Sequence, residues 1–245
     1  SSWSAFKEQL DETRKLVHTL FDQVFSVSKQ DSKPKASIAI WSGNGDKQIL
    51  VQQLEESGFA EAEQIYDALH NFKKSAAIRR LTAKGAGVMD RLMPQLLDAM
   101  QNVENPDVTL NRLLKLFEDV SGRNVYLSLL EENPQALAQL VKLCSASTWI
   151  CEYLSLYPAL FDELLDARTL YEPLKKQDLQ KRLHHQLESV DLNDIEQFMI
   201  ALRKFKQINV LKVAAADIMG VIPLMVVSDY LTFIAEVLVE QTVEY

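Results

Sequence analysis

Glycine and proline are scarce in this chain, seven of each in 245 residues, against ordinary usages of about 7% and 5%. Turn-dense β folds and Gly-rich phosphate loops both depend on glycine for positive φ, so both are disfavoured. Long helices joined by short connections remain. The fold class expected is all-α, an irregular multi-helix bundle with one long central helix near 193–219. Hydrophobic residues make up 47% and charged residues 24%, the composition of a folded globular chain. At this length the chain accommodates one large domain or two of ordinary size.

Charge and hydropathy exclude two classes of partner. A formal net charge of −8 argues against a general nucleic-acid binder, which needs an excess of Lys and Arg to displace counterions. No run approaches 18 uninterrupted apolar residues, so no membrane span is expected. The opening Ser1-Ser2-Trp3-Ser4-Ala5-Phe6 is neither a signal peptide nor a natural Met start, and reads as an edge cut within something longer. Cys144 and Cys151 lie in an apolar helical stretch. Reduced, buried thiols in a cytoplasmic protein are the expectation, with a disulfide as the alternative.

Periodicity divides the chain. Phe6, Leu10, Val17, Leu20 and Val24 form one apolar stripe, so residues 1–28 are expected to hold a helix that closes a preceding domain. Residues 29–46 read as a linker, beginning with the polar, proline-bearing run around Pro34. Within it Ile38-Ala39-Ile40-Trp41 is halted by Gly43-Asn44-Gly45 and reads as loop or a single tucked turn. Residues 47–245 are expected to form a helical domain. Asn105-Pro106 and Asn133-Pro134 each put an N-cap residue before a proline suited to the first helical position. Leu110, Leu113, Leu114 and Phe117 give the buried face of the first of these helices. Asn193 and Glu196 have capping-box spacing and open the longest helix. Its second half, Ile208 to Met219, is apolar on nearly every side and belongs in the middle of a bundle. Ser228 is expected to cap a last helix that buries Leu231, Ile234, Ala235 and Leu238. No fixed-period repeat is present.

Signatures of chemistry are sparse. Gly43-x-Gly45 lacks a third glycine and a preceding strand. Gly85-Ala86-Gly87 lies inside a helical pattern, where close packing explains it better than a phosphate cradle. His18, His70, His184 and His185 lack a second ligand at i+4 and read as surface or packing histidines. The pairs Glu55-Glu56, Glu131-Glu132 and Asp162-Glu163 read as solvated charges. Catalytic, cofactor-binding and metal-binding residues are therefore expected to be absent from the chain.

Two basic groups stand out. Lys73, Lys74, Arg79, Arg80, Lys84 and Arg91 gather across one helix end and the next helix, and residues 197–216 contain basic residues but no acid. Within the long helix Arg203, Lys206, Val210, Ala214 and Asp217 share one stripe. Solvated charges, with an ion pair holding Asp217, are one reading. A surface built from Arg203, Lys206 and Asp217 to meet an anionic partner, a nucleotide or an acidic protein face, is the other.

Four segments, in order, resemble the bifunctional glutamine synthetase adenylyltransferase/adenylyl-removing enzymes of bacteria. They are Ile78-Arg79-Arg80-Leu81 through Leu97; Asn133-Pro134-Gln135-Ala136 through Ile150; Tyr157-Pro158-Ala159-Leu160-Phe161 through Asp166; and Leu202-Arg203-Lys204-Phe205-Lys206 followed by Leu211 through Gly220. The resemblance covers residues 50–240. It implies two nucleotidyltransferase units joined by helical regions, one attaching AMP from ATP to a tyrosine of glutamine synthetase, the other removing it by phosphorolysis. ATP and magnesium are implied for the parent enzyme, held by a Ser-Asp-Leu-Asp signature that this sequence lacks. Implied partners are glutamine synthetase, a PII-type signalling protein, glutamine as effector, and flanking catalytic domains of the same chain. The family commonly has Arg at the position of Lys212, and Lys weakens any bidentate contact there. A freestanding helical adaptor without enzymatic activity is the competing reading.

Overall fold

The computed structural model describes residues 36–191 and 194–244. The stripe on residues 1–28, His18 and Asn193 lie outside the described residues. Residues 36–245 form one compact unit, and its described residues contain thirteen α-helices and no strand.

The first seven helices are α1 (Ala36–Ser42), α2 (Lys47–Glu56), α3 (Ala62–Lys74), α4 (Ala76–Arg79), α5 (Ala83–Ala99), α6 (Pro106–Val120) and α7 (Asn124–Glu132). Helices α8 (Pro134–Ala146) and α9 (Thr148–Leu156) follow, then a 3-10 segment, Pro158–Leu165. Last come α10 (Ala167–Leu170), α11 (Lys176–Leu187), α12 (Ile195–Ile218) and α13 (Leu224–Glu244).

Helix α1 replaces the loop expected at Ile38–Trp41. Ile40 and Trp41 are buried, and three anchors from distant sequence hold the segment. Trp41 Nε1 donates to Asp90 Oδ1 at 2.8 Å. Lys73 Nζ donates to the Trp41 carbonyl at 3.1 Å and stands 4.9 Å from the Trp41 ring centroid. Tertiary burial supplied what local propensity lacked.

Helix starts follow side-chain chemistry. Asp46, Ser75, Thr82, Ser147 and Asp166 each accept a backbone N–H of the helix they precede, occupying one donor that would otherwise be orphaned. Prolines 106 and 134 take the first helical positions as expected, yet Asn105 and Asn133 do not cap with their side chains. Asn133 Nδ2 instead turns back to the Leu129 carbonyl at 2.8 Å. The long helix begins at Ile195, and Asp194 caps it by accepting from Glu196 N and Gln197 N, both at 3.1 Å. Its C-terminus closes on Gly220 at φ +66°, with Val221 N bonded to Ala216 O at 2.8 Å, the left-handed closure that favours glycine.

The core has two parts. The larger is built by α1–α9, the 3-10 segment and α10, and includes Leu211 and Ala215 of α12. The smaller joins α11, the other face of α12, and α13. Leu110, Leu113, Leu114 and Phe117 are buried as expected. Helix α13 starts one turn before Ser228, which therefore lies inside it. Its buried residues are Ile234 and Val237; Leu231 is 42% exposed and Ala235 is exposed, because the face turned to α11 and α12 is rotated from the one expected.

Candidate functional site

Helix α12 contributes residues to both parts of the core. Phe198, Leu202 and Phe205 enter the smaller cluster while Leu211 and Ala215 enter the larger. Its polar residues divide between the two environments.

Lys212 is 2% exposed and its ammonium meets Glu163 Oε2 of the 3-10 segment at 3.0 Å, the Glu163 side chain being 18% exposed. Glu163 is thus the counter-ion of a buried cation rather than a solvated charge. Glu131, likewise, is no free surface acid: Arg91 Nε donates to its Oε1 at 2.7 Å, and its side chain is 15% exposed. Adjacency in sequence concealed both roles, since the partners stand 49 and 40 positions away along the chain.

Arg203 and Lys206 are exposed and Asp217 is half-buried on α12. Among the described residues none of the three forms an ion pair, so the pairing considered for Asp217 is not made. Val210 and Ala214, between them on the stripe, pack against the core.

The first basic group separates by role. Lys73 is taken up by Trp41 and Arg91 by Glu131, while Lys74, Arg79, Arg80 and Lys84 are exposed. At the start of α5, Gly85 allows close approach of α7: a Cβ there would lie 2.6 Å from Asn124 Oδ1. Asn124 Nδ2 donates to Thr82 Oγ1 at 3.2 Å. The glycine is a packing residue, as expected.

Both cysteines are free and buried. Burial pushes the Cys144 thiol up, and its hydrogen bond to Cys151 lowers the Cys151 thiol. Cys151 Sγ also donates to the Arg112 carbonyl at 3.6 Å, and Arg112 Nη1 donates to the carbonyls of Cys144 and Ser145 at 2.9 and 3.2 Å. These contacts tie α6, α8 and α9 together. Nearby, the Tyr171 hydroxyl donates to Gln139 Oε1, and burial raises the Tyr171 pKa above its ordinary value. Burial also pushes Tyr153 up to about 12.

His70 stacks on Tyr66, His185 Nδ1 lies 3.0 Å from Glu188 Oε2, and His184 is exposed. Among the described residues no group of three or more His, Cys, Asp or Glu side chains converges as a metal site, and no helix is long and apolar enough to cross a membrane. Among the described residues no side-chain cluster fits the magnesium implied for the parent enzyme, and no chemical step is assigned to them.

Residues 137–245 match the family model described as glutamate-ammonia ligase adenylyltransferase. Similarity extends along nearly the whole chain to proteins named bifunctional glutamine synthetase adenylyltransferase/adenylyl-removing enzyme. That of Thioalkalivibrio sulfidiphilus is 44% identical over 98% of this chain and 26% of its own length. Those of Vibrio parahaemolyticus and Pseudomonas aeruginosa are 39% and 35% identical over 99% and 100% of this chain, each again over 26% of the relative. The chain spans about a quarter of the length of the curated relatives it matches.

Proposed function

The chain belongs, as a segment, to the family of bifunctional glutamine synthetase adenylyltransferase/adenylyl-removing enzymes, and on that premise we propose that it is their central linking and regulatory segment. The parent enzyme attaches AMP from ATP to a tyrosine of glutamine synthetase and removes it by phosphorolysis, in control of nitrogen assimilation in the cytoplasm. ATP and magnesium act in its catalytic units, and this segment contributes geometry to them. Residues 1–28 close the adenylyl-removing unit's helical region, 29–46 link, and 47–245 lead into the transferase core. Glutamine and a PII-type protein set which activity prevails.

The observation that carries this reading is the placement of α12. One uninterrupted helix presents opposite faces to two hydrophobic clusters and is pinned by a buried ion pair, Lys212 to Glu163. A stiff element shared by two packed bodies passes a displacement of one to the other, because packed interfaces respond in discrete steps rather than by continuous deformation. Exposed Arg203 and Lys206, with Asp217 on the same stripe, are proposed to meet an anionic group of a neighbouring unit.

The test is transfer of labelled AMP to glutamine synthetase. The purified 245-residue chain should transfer none and release none; transfer by the chain alone would overturn the assignment. In the full-length polypeptide, Arg203→Gln with Lys206→Gln should weaken nucleotide or partner affinity at unchanged thermal stability. Lower stability at unchanged affinity would reduce the stripe to surface charge.

A further inference from the structure

Helix α13 is apolar on both sides. Its inner face packs through Ile234 and Val237. At 3.6 residues per turn, Leu224, Met225, Val239 and Val243 fall on the other side, 76%, 84%, 61% and 81% exposed, with Leu231, 42% exposed, at its edge. The turns between them carry Ser228, Thr232 and Ala235. The Thr232 and Thr242 hydroxyls bond back to the carbonyls of Ser228 and Leu238 at 2.8 and 2.7 Å, so both threonines are satisfied within the helix. No charged residue falls on the centre line of this side, between Leu224 and Val239, while Asp229 and Glu236 border it beside Met225 and Val243. The acids lie along one edge, where Glu236 and Glu240 are engaged by Lys176 at 2.9 and 2.8 Å. The exposed apolar residues run some 30 Å along the helix, given 1.5 Å of rise per residue, with acids along one border only.

A helix with a second apolar face outside its packed one is built to bury that face as well, and an exposed contiguous apolar strip with its charges confined to one border marks an interface. We infer that the outer stripe of α13 is the seat of a further domain of the same polypeptide, one that presents an uncharged apolar face to it. This rests on the functional reading above. Two observations favour a domain of the same chain over a second copy of this one. The relatives are about four times as long as the chain, which covers 26% of them, so most of the polypeptide lies elsewhere and includes their named activities. Pairing two copies would bring together bodies of formal charge −8 each, which electrostatics opposes. An intrachain contact has no such symmetry requirement and gains effective concentration from the covalent link.

Cysteine accessibility reads the stripe directly. Cys144 and Cys151 are buried, so in the 245-residue chain Met225→Cys and Val239→Cys are reported against a low background, and in the full-length polypeptide alkylation is read at the substituted residue itself by peptide mass. In the 245-residue chain both should alkylate at rates near those of the unfolded chain. In the full-length polypeptide both should slow at least tenfold. Hydroxyl-radical oxidation of the native Met225 side chain gives the same comparison without any substitution. Equal rates in the two contexts would overturn the inference. Protection in the short chain that grows with concentration would also overturn it, by assigning the stripe to self-association. AMP transfer is measured on the same full-length samples: protection without transfer sinks the functional reading alone, and transfer without protection sinks this one alone.

Discussion

Lys212 concentrates the energetic stakes at the scale of single residues, because its ammonium is buried with a single carboxylate partner. The two halves of the pair are not equivalent. Glu163 retains 18% exposure, so it can be solvated if its partner is lost, whereas Lys212 at 2% cannot. Glu163→Gln therefore strands a buried cation and should cost about 3–5 kcal/mol. Lys212→Met keeps the packing of the stem, removes the desolvated charge, and should fall within about 1 kcal/mol of the wild type. Urea unfolding of both variants checks this asymmetry; equal losses would show the pair to be solvated in solution. Lys offers a point charge where a guanidinium would offer a planar fork, and the ammonium stands 3.0 Å from Glu163 Oε2. Nothing local in the sequence marked Glu163 as this partner. It sits beside Asp162 in an ordinary acidic pair, and only the tertiary fold sets it against α12.

Elements were legible in proportion to how local their causes are. The proline-first starts of α6 and α8, the buried face of α6 and the extent of α12 all follow from residues within a few positions of each other. The existence of α1 does not, since Asp90 and Lys73 hold Trp41, near its C-terminal end, from other helices. Asp107 is a further case: from α6 it accepts Ala60 N and Glu61 N at 3.1 and 2.9 Å, capping α3 across the fold, where Glu61 provides no side-chain cap itself. Gly85 shows how an element can be tuned by its neighbour. Gly→Ala at a compatible helical position ordinarily stabilises by about 0.4–1 kcal/mol. Here the new methyl would meet Asn124 Oδ1 at 2.6 Å and displace the side chain that bonds Thr82. Gly85→Ala should thus give no gain in the native background and its ordinary gain once Asn124→Ala has opened the space. A double-mutant cycle by thermal unfolding measures the coupling, and additive effects would disprove the contact.

For the whole molecule the question is whether the two hydrophobic clusters unfold together. Their membership was not readable from periodicity, because α12 is apolar on nearly every side through its second half and gives no sign of which face meets which cluster. The structure divides it: Phe205 and Val213 belong to one cluster, Leu211 and Ala215 to the other. If α12 is the mechanical link, a break between Phe205 and Leu211 should uncouple them. Gln207→Pro removes an i→i−4 bond and clashes with the preceding turn, at about 3 kcal/mol or more. In a Trp3→Phe background, Trp41 and Trp149 report the larger cluster by fluorescence, while far-ultraviolet circular dichroism reports every helix. In the unbroken chain the two probes should trace one transition. In Gln207→Pro part of the helical signal, from α11, α13 and the first half of α12, should be lost at lower denaturant than the tryptophan signal. Coincident curves in the variant would mean that the clusters are coupled through other contacts. In that event the relay role proposed for α12 would have no physical carrier.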